Sequence, residues 1–305
     1  MTTRIDSPSN PRIAAAVKAI ANGEMMLLEG RIMVEEALDA GVPVEEVFVQ
    51  RNPDEDKEER EEEEFLRRVR GEEEREETLL RKGTGAAGAS DVRATPAPAR
   101  VTRVSARVLR RLSDLPSTRG AVAIAAPPQR TLTSLSALLP SKKSSSSSSP
   151  SSSPLFLLLD DVQNPANVGA ILRSGEAFGV AAALLTPGCA WPFSPRALRA
   201  SAGSAFRLPI AARVAAGEAV AWARRHGIAL AGAAAHGGTA PEALGGVRPL
   251  ALVIGSEGHG ISAEIAGSLD HRVTLPLAGR VDSLNAAVAA GVLLHILTRR
   301  PAPTR

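Results

Sequence analysis

The sequence predicts two α/β domains joined by a polar linker, the second built on a parallel sheet with helices on both of its faces. Three observations carry this. Beyond residue 153, near-continuous apolar runs alternate with segments of helical length, the pattern of strands buried on both sides. Before residue 53, a helix and strand pattern runs for some forty residues and then breaks abruptly into charge. Between these halves lies SKKSSSSSSPSSS, residues 141 to 153, a polar run with nothing to bury that offsets the entropy of ordering it. The predicted boundaries are therefore 1–128 for a small first domain, 129–153 for a Ser-rich linker and 154–300 for the second domain.

The elements follow in order. Apolar periodicity from Ile13 to Ile20 predicts a helix, EMMLLEG a strand and turn, Arg31 to Ala40 a second helix, and VEEVFVQ a returning strand. The second helix is expected to bury Ile32, Val34, Ala37 and Leu38 on one face. From Asp54 to Glu77 the chain is almost entirely Glu and Arg, with only Phe65, Leu66 and Val69 to pack. The insert 53–95 is expected to be a solvated charged helix or disordered, outside any core. VTRVSARVLRRLSDL then restores helical order and AVAIAA a strand, so the first domain spans both sides of the insert.

In the second domain, strands are predicted at 155–162, 181–187, 207–212, 228–235, 250–257 and 271–277, with helices at Asn167 to Phe178 and Gly217 to His226. The last helix, about Ser283 to Arg299, is apolar enough to be buried along much of its length.

Composition narrows the function. A hydrophobic fraction of 44% supports at least one sizeable core. Cys189 is alone, which excludes an internal disulfide and points to a reducing, cytoplasmic setting. MTTRIDSPSN has no apolar signal core, and no run approaches the roughly 18 apolar residues of a membrane span. Net charge is +3, yet apart from Lys18, Lys57, Lys82, Lys142 and Lys143 every cation is arginine, whose donor fork matches phosphate. The absence of tyrosine and an aromatic content of 3% argue against a surface of stacked bases and for contacts to RNA backbone and ribose. The five histidines, His226, His236, His259, His271 and His295, are too scattered to suggest a metal site.

In a parallel sheet the functional loops leave the C-terminal ends of the strands. Three such loops carry polar residues. DVQNPANVGAILRSGEAFG (161–179) offers Asn167 as a helix N-cap and Arg173 two turns into the helix. VIGSEGHGIS (253–262) sets Gly255, Gly258 and Gly260 around Glu257, glycines that permit positive φ and close backbone approach. LPLAGRVDSLNAAVAAG (275–291) leads into the last helix, with Ser283 as its cap and Asn285 beside it. Each residue also has an ordinary reading as a cap, a turn residue or a solvated charge; taken singly, that reading is the better one for the first and third loops and as good for Glu257.

Together the three segments resemble, in order, spacing and context, the signature motifs of the SpoU (TrmH-type) branch of the SPOUT superfamily of RNA 2′-O-ribose methyltransferases. SPRALRASAGSAFRLPI between them is similar as well, and SPSNPRIAAAVKAI, LLEGRIMVEEALDAGVPVEEVFV and LPSTRGAVAIAAP look like the small RNA substrate-binding domain that precedes the catalytic domain in many members. The resemblance implies a C-terminal trefoil knot, an otherwise very rare feature. It implies S-adenosyl-L-methionine bound by backbone at Gly255, Leu275 and Leu284, and a homodimer formed through the knot and the last helix. It assigns the central catalytic role to Arg173, with Asn167, Glu257, Ser283 and Asn285 orienting it, the nucleotide and the cofactor, and with Glu257 able to hold Arg173. The substrate it implies is ribosomal RNA, a guanosine above others, with transfer RNA as the alternative. A rival of another class is an RNA-binding SPOUT protein without turnover. A dinucleotide enzyme is disfavoured because no G-x-G-x-x-G follows the first strand of the second domain, and a serine hydrolase because GSEG is not a G-x-S-x-G elbow.

Overall fold

The structure, a computed structural model, describes residues 3–50, 58–71, 98–113, 115, 120–139, 153–244, 246–279 and 281–299. The chain divides into two compact units, Met1–Pro127 and Pro128–Arg305.

The first unit is a five-stranded mixed sheet of β1 (Thr3–Ile5), β2 (Met26–Glu29), β3 (Val44–Gln50), β4 (Arg100–Val104) and β5 (Ala121–Ala125), in the order β1-β4-β3-β5-β2. Neighbours β1, β4 and β3 run parallel, whereas β5 runs antiparallel to both β3 and β2. Helices α1 (Pro11–Ala21) and α4 (Ala106–Leu112) close one face, burying Ile13, Val108 and Leu109 against Phe48 and Val122. Helix α2 (Arg31–Asp39) buries Val34 and Ala37, while Ile32 is 60% exposed. Ile32 and Val34 are two positions apart, about 200° around a helix, so the single face expected to hold both could not exist.

The charged insert also differs from expectation. Residues Glu58–Val69 form helix α3, and Phe65, Leu66 and Val69 are all buried. The Arg31 guanidinium lies 5.8 Å from the centre of the Phe65 ring, Arg68 pairs with Asp39, and Ala99 N–H donates to the Val69 carbonyl. Three apolar residues spaced i, i+1 and i+4 are a sufficient seam to dock a helix whose other positions are charged. The rest of the predicted insert lies outside the described residues.

The second unit is a six-stranded, wholly parallel sheet of β6 (Leu155–Asp160), β7 (Ala182–Leu185), β8 (Ile210–Ala211), β9 (Ala229–Ala233), β10 (Leu250–Gly255) and β11 (His271–Val273), in the order β11-β9-β10-β6-β7-β8. The central pair aligns Leu250 with Leu155 and Gly255 with Asp160. Phe156 and Leu158 pack on one face with Trp222 and Ala223 of α9 (Ala216–Arg225) and Ile265 of α10 (Ala263–Ala266). On the other face lie α6 (Pro165–Ala177) and, packed against it, α11 (Ala286–Thr298). A Cβ on Gly175 of α6 would come within 2.8 Å of the Leu157 side chain, so helix and sheet meet there without a spacer. Short helices α7 (Pro195–Ser201) and α8 (Ser204–Arg207) fill the β7–β8 connection, and a 3-10 turn spans Pro241–Leu244.

The predicted linker is shorter than 129–153. Gln129 forms a parallel bridge with Ile210 and Arg130 N–H donates to the Ile210 carbonyl, which extends the sheet beyond β8. Helix α5 (Leu132–Ser136) follows, opened by a Thr131/Ser134 capping box and holding Leu135 in the core at 1% exposure. RTLTSLSALL thus carries its own cap and core anchor, and the serine run that follows lies outside the described residues.

Helix α11 buries Ala286, Ala290, Leu293, Leu294 and Leu297, one face rather than its whole circumference, and leaves Val288 53% and Val292 40% exposed. Arg248 holds the end of this helix by donating to the Leu297 carbonyl, a cation placed where the helix dipole favours one. No helix among the described residues is long and apolar enough to cross a membrane.

Candidate active site

Helix α6 begins where β6 ends, and Asn-Pro sets its start. The Asn164 side chain accepts from Ala166 N–H, and Pro165 occupies the first helical position, where its missing N–H costs nothing. Asn167 is therefore not the cap predicted for this helix. It sits in the first turn with its amide free to reach sideways. Helix α11 likewise starts later than expected. Asn285, not Ser283, is its N-cap, accepting from both Ala287 N–H and Val288 N–H.

Those two helix starts meet. The Asn285 side-chain N–H donates to the Asn167 carbonyl oxygen at 3.2 Å, and the Asn167 side-chain N–H donates to Glu257 of the turn after β10. The orientation of both amides follows. Asn285 must turn its oxygen to the α11 amides, so its NH2 faces Asn167, whose own NH2 is then left for the carboxylate. The relay joins all three loops singled out in the sequence, from residues 167, 257 and 285.

The turn after β10 is held in shape by its own backbone. Ser256 and Gly260 exchange backbone hydrogen bonds at 3.0 and 2.9 Å, and Gly260 has φ +70°. A Cβ on Gly255 would approach the Gly260 carbonyl carbon to 2.4 Å, so close approach is required there by the folded-back turn. Gly258 has neither a positive φ nor a crowded Cβ, and the reason advanced for three glycines holds for two.

Behind the relay lies a cavity of about 460 Å³ walled by the ends of β9, β10 and β11 and the start of α11. Gly255, Leu275 and Leu284 all line it, as do Glu257, Ser283 and Asn285. Its walls are otherwise mostly Ala, Leu, Ile and Val, and a mainly apolar lining with a few polar groups is the composition of a pocket for a small organic molecule.

Arg173 stands apart. It is exposed, does not line the cavity, and forms no hydrogen bond or ion pair with a described residue. The expected contact from Glu257 is absent because that carboxylate is taken by Asn167. Six residues separate Asn167 from Arg173, about two-thirds of a turn out of phase, so the two leave α6 in different directions.

One site residue was missed. Asp160, 3% exposed at the end of β6, accepts from Ser262 N–H at 2.7 Å and from the Thr186 hydroxyl at 3.3 Å. It thereby ties the glycine-rich turn to β6 and to the loop after β7. In sequence it is the first of two aspartates ending an apolar strand, and nothing there distinguishes it from Asp161. Near it, burial pushes the Cys189 thiol above its usual pKa, while its Sγ donates to the Leu159 carbonyl at 3.2 Å. Among the described residues no group of three or more His, Cys, Asp and Glu side chains is placed to hold a metal.

A parallel sheet whose polar loops converge beside an apolar cavity defines a small-molecule site at the C-terminal edge of an α/β domain. Residues 154–295 match the SpoU rRNA Methylase family. An uncharacterized tRNA/rRNA methyltransferase from Mycobacterium ulcerans (strain Agy99) is 40% identical over 147 residues, 48% of this chain and 47% of that protein. The chain thus spans about half the length of the curated relatives it matches. Among solved structures, the AdoMet-bound rRNA methyltransferase from Sinorhizobium meliloti superposes with TM-score 0.73 at 22% identity, over 97% of each chain. An RNA 2′-O ribose methyltransferase superposes with TM-score 0.65 at 27% identity, over 97% of this chain and 98% of the other.

Proposed function

We propose that the protein is an S-adenosylmethionine-dependent RNA methyltransferase acting on a ribose 2′-hydroxyl, with a ribosomal RNA guanosine ahead of transfer RNA as its substrate. The observation that carries this is the relay Asn285–Asn167–Glu257 at the side of a cavity lined by Gly255, Leu275 and Leu284. The cavity suits the cofactor on physical grounds. At about 460 Å³, with apolar walls for a purine and with Gly255 and Leu275 among its lining, it has the size and lining of a nucleoside pocket. Bound there, the cofactor supplies a methyl group on a positively charged sulfur, open to in-line attack.

The chain's own residues then have distinct tasks. A ribose hydroxyl is a weak nucleophile at neutral pH, so the protein must align it within about 3 to 3.5 Å of the methyl carbon and offset the charge that grows on its oxygen. Arg173 is suited to the second task. A guanidinium stays protonated in proteins, so it acts as a fixed cation for the 2′-oxygen and the adjoining phosphate, and with no partner among the described residues its donors are available. Asn167, Glu257 and Asn285 position the ribose, and Ser283 contributes a hydroxyl from the cavity wall. The C-terminal segment that walls this cavity is read as the threaded part of a trefoil knot. The exposed Val288 and Val292 of α11 are read as part of a homodimer interface, and the first unit as an RNA-holding domain.

The test is transfer of labelled methyl from S-adenosylmethionine to total RNA, followed by digestion to nucleosides. Label in 2′-O-methylated nucleosides is the expected result. Label in base-methylated nucleosides, or binding of RNA with no transfer, would overturn the reading.

A further inference from the structure

Two strands along the same sheet edge from the relay, a second cleft of about 690 Å³ lies between α5, the end of β8 and α9. Arg130, Arg213 and Arg225 line it, against one carboxylate, Glu218. All three arginines are exposed, and none of their guanidinium groups forms a hydrogen bond or ion pair with a described residue. Arg207 and Arg224 of the same unit are matched, to Glu176 and Asp270, whereas Arg173, like these three, is not.

Arg213 has two further peculiarities. Its φ is +59°, a conformation that costs a β-carbon residue on the order of 1 kcal/mol and that glycine or asparagine would adopt more readily. Its guanidinium lies 4.8 Å from the centre of the Trp191 ring. Trp191, half-buried, comes from the loop after β7, and Trp222 is the other of the chain's two tryptophans and is buried in the core. An arginine held in an unfavourable backbone conformation over an aromatic ring, beside two unmatched arginines, is a planar cationic platform with phosphate-binding groups next to it.

Its place on the edge gives it a ligand. Ala190 N–H donates to the Val162 carbonyl and Val214 N–H to the Leu185 carbonyl, so the loops after β6, β7 and β8 lie side by side. Strands stand about 4.8 Å apart, which puts the platform roughly 10 Å from the loop that carries Asn167. We propose that the Arg213–Trp191 stack and the Arg130/Arg225 cleft bind the single-stranded RNA flanking the target nucleotide, a base stacking on the Arg213 plane and phosphates entering the cleft. The proposal rests on the RNA-methyltransferase reading for the identity of its polyanion. Low aromatic content argued for backbone and ribose contacts alone, and a single stacked tryptophan adds one base contact to them.

The test measures binding of a fluorescent single-stranded 12-mer RNA by the full chain at several salt concentrations, for the natural protein, R213G and the double variant R130Q/R225Q. R213G relieves the strained backbone while removing the guanidinium. It is expected to unfold at the same or a higher temperature, to bind the RNA about fivefold to tenfold more weakly, and to flatten the log–log salt slope by about 0.7. The double variant is expected to flatten it by about 1.4. S-adenosylmethionine affinity is expected not to change in either. Unchanged RNA affinity and slope in both variants, or displacement of the RNA by polyglutamate of equal charge, would overturn the proposal. If labelled methyl reaches RNA but R213G has an unaltered KM for RNA, this inference fails and the enzymatic reading stands. If no methyl is transferred yet RNA binding depends on Arg213, the cleft stands and the enzymatic reading fails.

Discussion

The two units use similar materials, short apolar strands and amphipathic helices, to different ends. In the first, β5 runs antiparallel to both β2 and β3, so the C-terminal ends of its strands are divided between two edges. In the second, every pair is parallel, so all six strands deliver their following loops to one edge. Asn167, Glu257 and Asn285 are brought within hydrogen-bonding distance by that alignment, although up to 118 positions separate them in sequence. A parallel sheet gathers its loops at one edge by topology, whereas a mixed sheet divides them between two.

That contrast can be broken at several points. The largest expected effect is in the first unit. Phe65→Ala should destabilise that unit by about 3 kcal/mol or more, because α3 is docked through Phe65 rather than solvated on all sides. Chemical denaturation followed by circular dichroism checks this, and a loss under about 0.5 kcal/mol would return α3 to the solvent. In the second unit, Gly255→Ala should cost about 1 to 3 kcal/mol and weaken cofactor binding, since its Cβ meets the backbone of Gly260. Gly258→Ala, with open space around it, should do neither.

Smaller effects sharpen the picture of the edge. Asn285→Ala should cost about 1 kcal/mol through the lost cap of α11 and also slow methyl transfer. Ser283→Ala should leave thermal stability alone. The smallest effect is on pH. The hydrogen bond from Arg207 holds the Glu176 carboxyl below its ordinary value of 4.5. A carboxylate whose folded pKa is depressed adds stability that is present above its unfolded pKa and lost as pH falls through the folded one. Glu176→Gln should therefore shrink the difference in melting temperature between pH 6 and pH 3 slightly, and leave the pH 3 value nearly unchanged.

Much of this arrangement was legible in the sequence because it depends on periodicity. Nine of the eleven strands among the described residues, and the long helices, leave an apolar signature, and the three polar loops follow strands by position alone; β1 is too short to show one, and β4 merges into the helical pattern expected of VTRVSARVLRRLSDL. What escaped were facts decided by geometry between distant segments. D-S-L-N offers several possible caps, and only the packing of α11 on α6 selects Asn285 over Ser283. N-P-A-N offers two, and there Pro165 at the first helical position was a signal for Asn164. Asp160 is a buried acceptor only because Ser262 and Thr186 arrive beside it, 102 and 26 residues later. For α3, three apolar residues among many charges were too few to weigh by composition, yet correctly spaced to dock.

The division of labour between Arg173 and the cavity is the centre of the account, and one calorimetric experiment reaches it. S-adenosylmethionine titrated into the natural protein and into R173A should bind both with affinities within about twofold, while R173A transfers methyl to RNA at least about a hundredfold more slowly. Loss of cofactor affinity in step with loss of transfer would contradict it.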